Sequence, residues 1–214
     1  MTRYDKRIQL LAVGLAALAG YVDALGFVHL GGFFVSFMSG NSTRLGVGLV
    51  DHAHSATVAA ILIGLFVIGV ITGSLVGRRA RNHRRTVVLV VVSVALAFAA
   101  MLNSLGVTRG SIALMVMAMG AENAVFERDG EVNIGLTYMT GTLVKFGQRV
   151  ADAVTGGKRM EWAPYLFLWL GLVGGAVAGA VTYVRLGLSG LWIAAGVACV
   201  LAIAASQTED GVKA

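Results

Sequence analysis

Proline occurs once, at position 164, and cysteine once, at position 199. A single proline excludes a proline-rich linker or disordered class, and a lone thiol excludes a disulfide framework, a thiolate zinc site and a paired redox motif within the chain. Cys199 reads as a small apolar residue in a helix. Charge is scarce as well: 13% of the 214 residues are Asp, Glu, Lys or Arg, against roughly 25% in soluble domains. Hydrophobic residues make up 57%, and the mean hydropathy is +0.80. A chain of this length has too little interior to hide so much apolar side chain, which excludes a soluble globular fold and turns most of the surface to lipid. The 29 glycines fit membrane helices that pack through small residues. A net charge of +6 would suggest nucleic acid in a soluble protein. Here the basic residues cluster between apolar segments, where they report orientation, so no nucleic-acid partner is expected.

Six apolar runs approach the ~20 residues that a ~30 Å hydrocarbon core requires. They are 8–28, 57–77, 86–105, 111–126, 163–184 and 188–205, the fourth being short and carrying Glu122 and Asn123. Two further segments, 33–50 and 134–150, are long but studded with polar and basic side chains. Arg3, Lys6 and Arg7, followed by an apolar run and Ala17-Leu18-Ala19, resemble a cleavable leader. The run has an internal counterpart later in the chain, which favours a retained span. Between the second and third runs stand Arg78, Arg79, Arg81, Arg84 and Arg85, which anchor that loop in the cytoplasm. If the polar segments do not cross, Arg3, Lys6, Arg7, Arg128, Lys158, Arg159 and Lys213 share its side, leaving Arg109 and Arg185 outside. If both cross, the N-terminus, Lys158, Arg159 and Lys213 are exported. The first arrangement is preferred: an all-α polytopic protein of the cell membrane, with six transmembrane helices, two broken or re-entrant segments and both termini cytoplasmic.

The halves echo one another. Gly20-Tyr21-Val22-Asp23-Ala24 aligns with Gly120-Ala121-Glu122-Asn123-Ala124 at an offset of 100, and Met38-Ser39-Gly40-Asn41 with Met139-Thr140-Gly141-Thr142 at 101, which sets Arg44 on Lys145. Gly69, Gly73 and Gly77 align with Gly171, Gly175 and Gly179 at 102. Each unit, about 8–105 and 111–206 of a single membrane domain spanning 1–214, holds three spans and one polar segment. Three is odd, so the second unit enters the bilayer from the other side, giving an inverted 3+3 repeat of the kind transporters use. The two polar segments then dip in from opposite faces and meet near the midplane.

The stretch AGYVDALGFVHLGGFFVSFMSGNSTRLGVGL, with the later MGAENAVFERDG and TYMTGTLVKFG, resembles the YoaK-like family of small uncharacterised integral membrane proteins, a domain-of-unknown-function family. The resemblance covers essentially the whole chain, and the paired M-[ST]-G-[NT] motifs carry most of it. Glu122 departs from the family pattern, which more often has an uncharged polar residue there. The resemblance implies a multi-span protein and supplies no substrate or activity.

Backbone that leaves a helix inside a bilayer is tolerated only where protein or a water-filled cavity satisfies it. Gly40 and Gly141 allow close approach, and Ser39, Asn41, Thr140 and Thr142 can cap new helices starting near Asn41 and Thr142. Such helix starts attract anions, and Arg44 and Lys145 stand one turn further on. These eight residues form the candidate site for a small anionic or zwitterionic solute. Asp23 and Glu122 are carboxylates at membrane depth, read as proton carriers or as ion-pair partners of Arg44 and Lys145. Arg149 and Asp152 are spaced for a local pair. Asp51-His52-Ala53-His54 has metal-ligand residue types without a supporting cluster, and no metal or cofactor is expected. His29, Tyr165, Trp162, Trp169 and Trp192 read as polar trim or interfacial anchors.

No triad, nucleotide loop or zinc-protease helix occurs, so an enzyme is not expected. The reading is a permease or channel, proton-coupled through Asp23 or Glu122. The alternative is a non-transporting structural or assembly membrane protein. The partners expected are the lipid bilayer and a small solute, and the glycine stripes allow a homo-oligomer.

Overall fold

In the computed structural model, residues 5–128, 131–132 and 135–210 are described. Eight α-helices are found among them: α1 (Lys6–His29), α2 (Met38–Val50), α3 (Ala53–Ala80), α4 (Arg84–Ser104), α5 (Thr108–Glu122), α6 (Met139–Val154), α7 (Ala163–Leu186) and α8 (Leu191–Asp210). Glu127–Arg128 pairs with Glu131–Val132 in a two-residue antiparallel ladder. Arg3, Lys213 and Ile134, the first residue of the second polar segment, lie outside the described residues.

The six apolar runs correspond to α1, α3, α4, α5, α7 and α8. Three stretches are long and apolar enough to cross a membrane: Lys6–His29, Ala53–Ser104 and Ala163–Glu209, the second and third each holding two consecutive helices. α5 is shorter, 15 residues extended by a 3-10 turn over Asn123–Phe126. The polar segments are helical only in part. α2 has 13 residues and α6 has 16, so at 1.5 Å per residue they are about 20 and 24 Å long, short of a full crossing. Ile68, Ile71, Phe98, Val177, Val200 and Ile203 all face outward, giving the long helices the apolar exterior that lipid demands.

Glycines bring pairs of helices to backbone contact. On α7, Gly171, Gly175 and Gly179 press against the carbonyls of Val13, Ala17 and Tyr21 on α1. On α3, Gly69 and Gly73 press against those of Met117 and Ala121 on α5. Returning from the other side, Gly20 meets the carbonyl of Leu172, and Gly120 that of Phe66. Both pairs run parallel. Ala17 and Met117, Gly20 and Gly120, and Tyr21 and Ala121 are 100 residues apart. Phe66 and Leu172, Gly69 and Gly175, and Gly73 and Gly179 are all 106 apart. By contact, therefore, Gly69 corresponds to Gly175 rather than to Gly171. The sequence register for these stripes is off by one helical turn, because G-x-x-x-G repeats every four residues and aligns with itself equally well one turn along. The stripes are also used inside the chain, helix against helix.

The remaining contacts fix direction. Glu209, near the end of α8, accepts from the Arg85 N–H (2.8 Å) and the Thr86 hydroxyl (2.7 Å) at the start of α4. The Tyr21 hydroxyl donates to the Gly190 carbonyl (3.0 Å) just ahead of α8. One end of the bundle thus collects the starts of α1, α4 and α7 with the ends of α3, α5 and α8, and so gathers Lys6, Arg7 and the arginine-rich turn. The end of α1 and the start of α3 lie together at the opposite end. The chain between them turns inward through Gly31 (φ 62°) and Gly32 (φ 103°) and comes back out along α2. Between α5 and α7 the same excursion is made from the arginine-rich end, along α6.

Gly174 and Gly175 give a matched test. A Cβ on Gly175 collides with the α1 backbone, while one on Gly174 meets nothing. Gly175→Ala is expected to cost about 1–3 kcal/mol or more, and Gly174→Ala to be neutral or stabilising by up to about 1 kcal/mol. Thermal unfolding in detergent measures both, and equal behaviour would contradict the backbone contact.

Candidate functional site

The inward turn before α2 is held by two side chains. The Asp23 carboxylate, on α1, accepts the Val35 and Ser36 N–H groups on one oxygen, 2.8 Å each. Asn41 accepts the Phe34 N–H (3.0 Å) and donates to the Phe34 carbonyl (2.7 Å). Asp23 lies six residues, about 9 Å, short of the end of α1, so residues 35 and 36 are drawn that far into the bundle. In the second half Asn123, which aligns with Asp23, accepts the Thr137 hydroxyl at 3.0 Å and donates to the Met119 carbonyl at 2.9 Å. Thr137 aligns with Ser36 at the offset of the methionine motifs, and both are buried. Asn41 and Thr142, also aligned, are buried alike.

The two helix starts meet. A cavity of about 430 Å³ is lined by residues 36–39, residues 137–141 and Phe66, so the same four positions, at an offset of 101, contribute from both halves, with Gly141 added from the second. α2 and α6 leave this cavity toward opposite ends of the bundle. The first N–H groups of a helix have no intrahelical acceptor, and those of both helices border the cavity. Its wall carries the hydroxyls of Ser36, Ser39, Thr137 and Thr140 among Phe, Met and Tyr side chains, with no acidic residue among the described ones.

Of the eight residues singled out in the sequence, Ser39, Thr140 and Gly141 line the cavity. Gly40 is in the first turn of α2, with the rings of Phe34 and Phe37 where a Cβ would be. Asn41 and Thr142 brace the helix starts instead of lining them. The helices begin at Met38 and Met139, three residues before the expected starts at Asn41 and Thr142, and without a side-chain cap. Arg44 and Lys145 are consequently six residues, about 9 Å, past those starts, and neither lines the cavity. Arg44 lies over the Phe33 ring (4.9 Å) and lines a smaller pocket with His52 and Ser55. Lys145 is exposed.

The pairs Asp23–Arg44 and Glu122–Lys145 are not formed. Asp23 is occupied by backbone N–H groups, and Glu122 is fully buried with neither carboxylate oxygen hydrogen-bonded among the described residues. Arg149 does pair with Asp152 (3.3 Å), and with Glu161 (3.1 Å). Asp51 pairs with His52 at 2.8 Å on the surface, and no cluster of three metal-ligating side chains occurs among the described residues. His29 hydrogen-bonds Tyr183 (3.1 Å), and Trp162 meets the Phe146 ring edge-on.

Sequence reading missed Ser36 and Thr137, although carrying the methionine alignment two residues upstream reaches both. It also missed the carboxylates that hold the arginine-rich turn. Glu127 pairs with Arg84 (2.7 Å) and Arg78 (3.6 Å) and accepts the Ser74 hydroxyl (2.6 Å), while Glu209 caps α4.

A family model described as protein of unknown function (DUF1275) matches residues 11–204. A UPF0700 transmembrane protein of Rhizobium meliloti (strain 1021) is 36% identical over 198 residues, covering 92% of this chain and 85% of that protein. No solved structure matches.

Glu127 lies beyond α5, outside the apolar spans. Burial acts to raise its pKa, but the Ser74 hydroxyl and the Arg84 and Arg78 guanidiniums outweigh that and hold it below the ordinary 4.5. A lowered carboxylate stabilises the fold above its unfolded pKa, and that contribution fades as pH falls through the folded value. Wild type is therefore expected to melt above Glu127→Gln at pH 6 to 7, with the gap closing below about 4.5. A gap independent of pH contradicts the ion pair.

Proposed function

The chain belongs to the DUF1275 family of proteins of unknown function, and from that premise we propose that it is a membrane permease or channel for a small anionic or zwitterionic solute. The observation that carries this reading is the single cavity bounded by the starts of α2 and α6. Two helix starts bring partial positive charge and N–H groups to one place from opposite sides, the Ser39 and Thr140 hydroxyls add hydrogen bonds, and no carboxylate lines the cavity itself, Asp23 lying behind the Ser36 N–H that it accepts. Arg44 and Lys145, away from the wall, have no direct role in binding.

The membrane arrangement proposed is six spans with α2 and α6 re-entrant from opposite faces, in an inverted repeat, with both termini cytoplasmic. It is supported by the shortness of these two helices against a full crossing, by their opposite directions away from the cavity, and by the basic groups gathered at one end of the bundle. Coupling to protons is assigned to Glu122 before Asp23. Asp23 already serves the backbone of the inward turn, whereas Glu122 is buried with no partner among the described residues. A carboxylate in that setting is costly and functional by default. A non-transporting role is favoured by one feature, the aromatic and methionine side chains that share the cavity wall, and the flux experiment separates the two.

Purified protein in liposomes is expected to admit small anions or zwitterions that empty liposomes exclude. Gly141→Phe is the blocking variant, because a side chain at Gly141 meets nothing within 4 Å and the residue lines the cavity. It is expected to fold and to lose flux, while Glu122→Gln keeps solute exchange and loses proton-driven uptake. No flux of any tested solute, or undiminished flux through folded Gly141→Phe, overturns the reading.

Orientation has its own test. A membrane-impermeant thiol reagent applied to cells is expected to label Ala53→Cys, at the start of α3, and to spare Gly157→Cys, between α6 and α7, each in a Cys199→Ala background. The reverse pattern, or labelling of both, contradicts the topology.

A further inference from the structure

We propose that the groove between the start of α1 and the end of α8 is a binding site for an anionic phospholipid. The groove, about 530 Å³, is headed by Lys6 and Arg7, with Gln207 and Thr208 beside them, and floored by Leu10, Leu11 and Leu201. A second groove of about 390 Å³ opens on the other side of the same residues, sharing Lys6 and Leu10 and running along Val13, Pro164 and Phe167 between α1 and α7. Leu10 is 75% exposed and stands between the two as a ridge.

The order of chemistry along α1 is that of a phospholipid. Two cationic side chains lie at the helix start, without an ion-pair partner among the described residues. One turn deeper the surface is apolar, and it divides into two channels. A phosphate on Lys6 and Arg7 places one acyl chain against α8 and the other against α7, astride Leu10. Charge selects the headgroup: basic pockets between spanning helices at the cytoplasmic face favour anionic lipid, and this end also carries the arginine-rich turn. A zwitterionic lipid offers the same phosphate but brings its own ammonium, which Lys6 and Arg7 repel. The inference asks that α1 and α8 cross a bilayer and is independent of any transport.

The full chain, purified in mild detergent and depleted of lipid, is titrated with phosphatidylglycerol, phosphatidylcholine or glycerol phosphate. Bound lipid is read by native mass spectrometry and melting by light scattering. Phosphatidylglycerol is expected to bind and raise the melting temperature, and the other two to do neither. Lys6→Gln/Arg7→Gln is expected to lose roughly tenfold or more in phosphatidylglycerol affinity. Arg109→Gln/Arg185→Gln, which removes the same charge at the opposite end, is expected to lose none. Ala204→Phe fills the α8 groove under unaltered charge and is expected to weaken binding as well, so the site stays testable if the Lys6/Arg7 variant fails to fold. Equal binding of phosphatidylcholine means a lipid annulus only, and protection by glycerol phosphate means a headgroup site without the grooves. Either result overturns the proposal, as does unchanged binding by the Lys6/Arg7 or the Ala204 variant.

Discussion

Backbone-to-backbone contact through glycine is the constraint on which the rest of the structure depends. In lipid, helices gain little by hiding apolar side chains from one another, so close packing supplies the attraction. Gly175 and Gly179 let α7 lie on α1, and Gly69 and Gly73 let α3 lie on α5. The contacts are crossed: the first helix of one half packs on the third of the other, and the reverse. Neither half can complete its packing alone, so the two inward turns are brought to the same depth by the helices that hold them.

Once the halves interlock, the unpaired backbone of the inward turns becomes the next cost. A buried N–H left without an acceptor costs about 1–3 kcal/mol, and the turn before α2 would strand several. Asp23 takes two on one oxygen and Asn41 takes a third. The second turn is held by Asn123, a side chain of nearly the same shape without the charge. The comparison assigns Asp23 its work. An acceptor oxygen at this position is what the fold requires, an amide provides it in one half, and a carboxylate in the other provides it more strongly because charge-assisted hydrogen bonds are the stronger kind.

Much of this was legible in the sequence because it rests on periodicity and on positions that repeat. The apolar runs are helices, Ser36 and Thr137, at the offset of 101, line one cavity, and Lys6, Arg7 and the arginine-rich turn share one end of the bundle. The failures have physical causes. A glycine every fourth residue is self-similar, so its register cannot be read without the facing helix. The helix starts lie three residues upstream of Asn41 and Thr142, because Asn41 bonds back to Phe34 and Thr142 to the Tyr138 carbonyl in place of capping a new helix. That displacement carried Arg44 and Lys145 off the cavity and left Ser36 and Thr137 on it. Glu127 reaches Arg84 across 43 residues and Glu209 reaches Arg85 across 124, separations that no local pattern records.

The alignment of the two halves also isolates Glu122. The residue aligned with it is Val22, fully buried in α1, so a β-branched apolar side chain meets the packing demand at this place in the fold. Glu122 is as deeply buried on α5 and has no hydrogen-bond partner among the described residues. Burying an unpaired carboxyl where valine packs lowers stability, and no feature of the surrounding helices returns that loss. Departures from local consistency of this kind belong to function more often than to architecture. The asymmetry therefore separates two carboxylates that the sequence presented as equivalents. Asp23 is accounted for by the turn it holds, and Glu122 is the one acidic group in the spans that the fold gives no structural reason to keep.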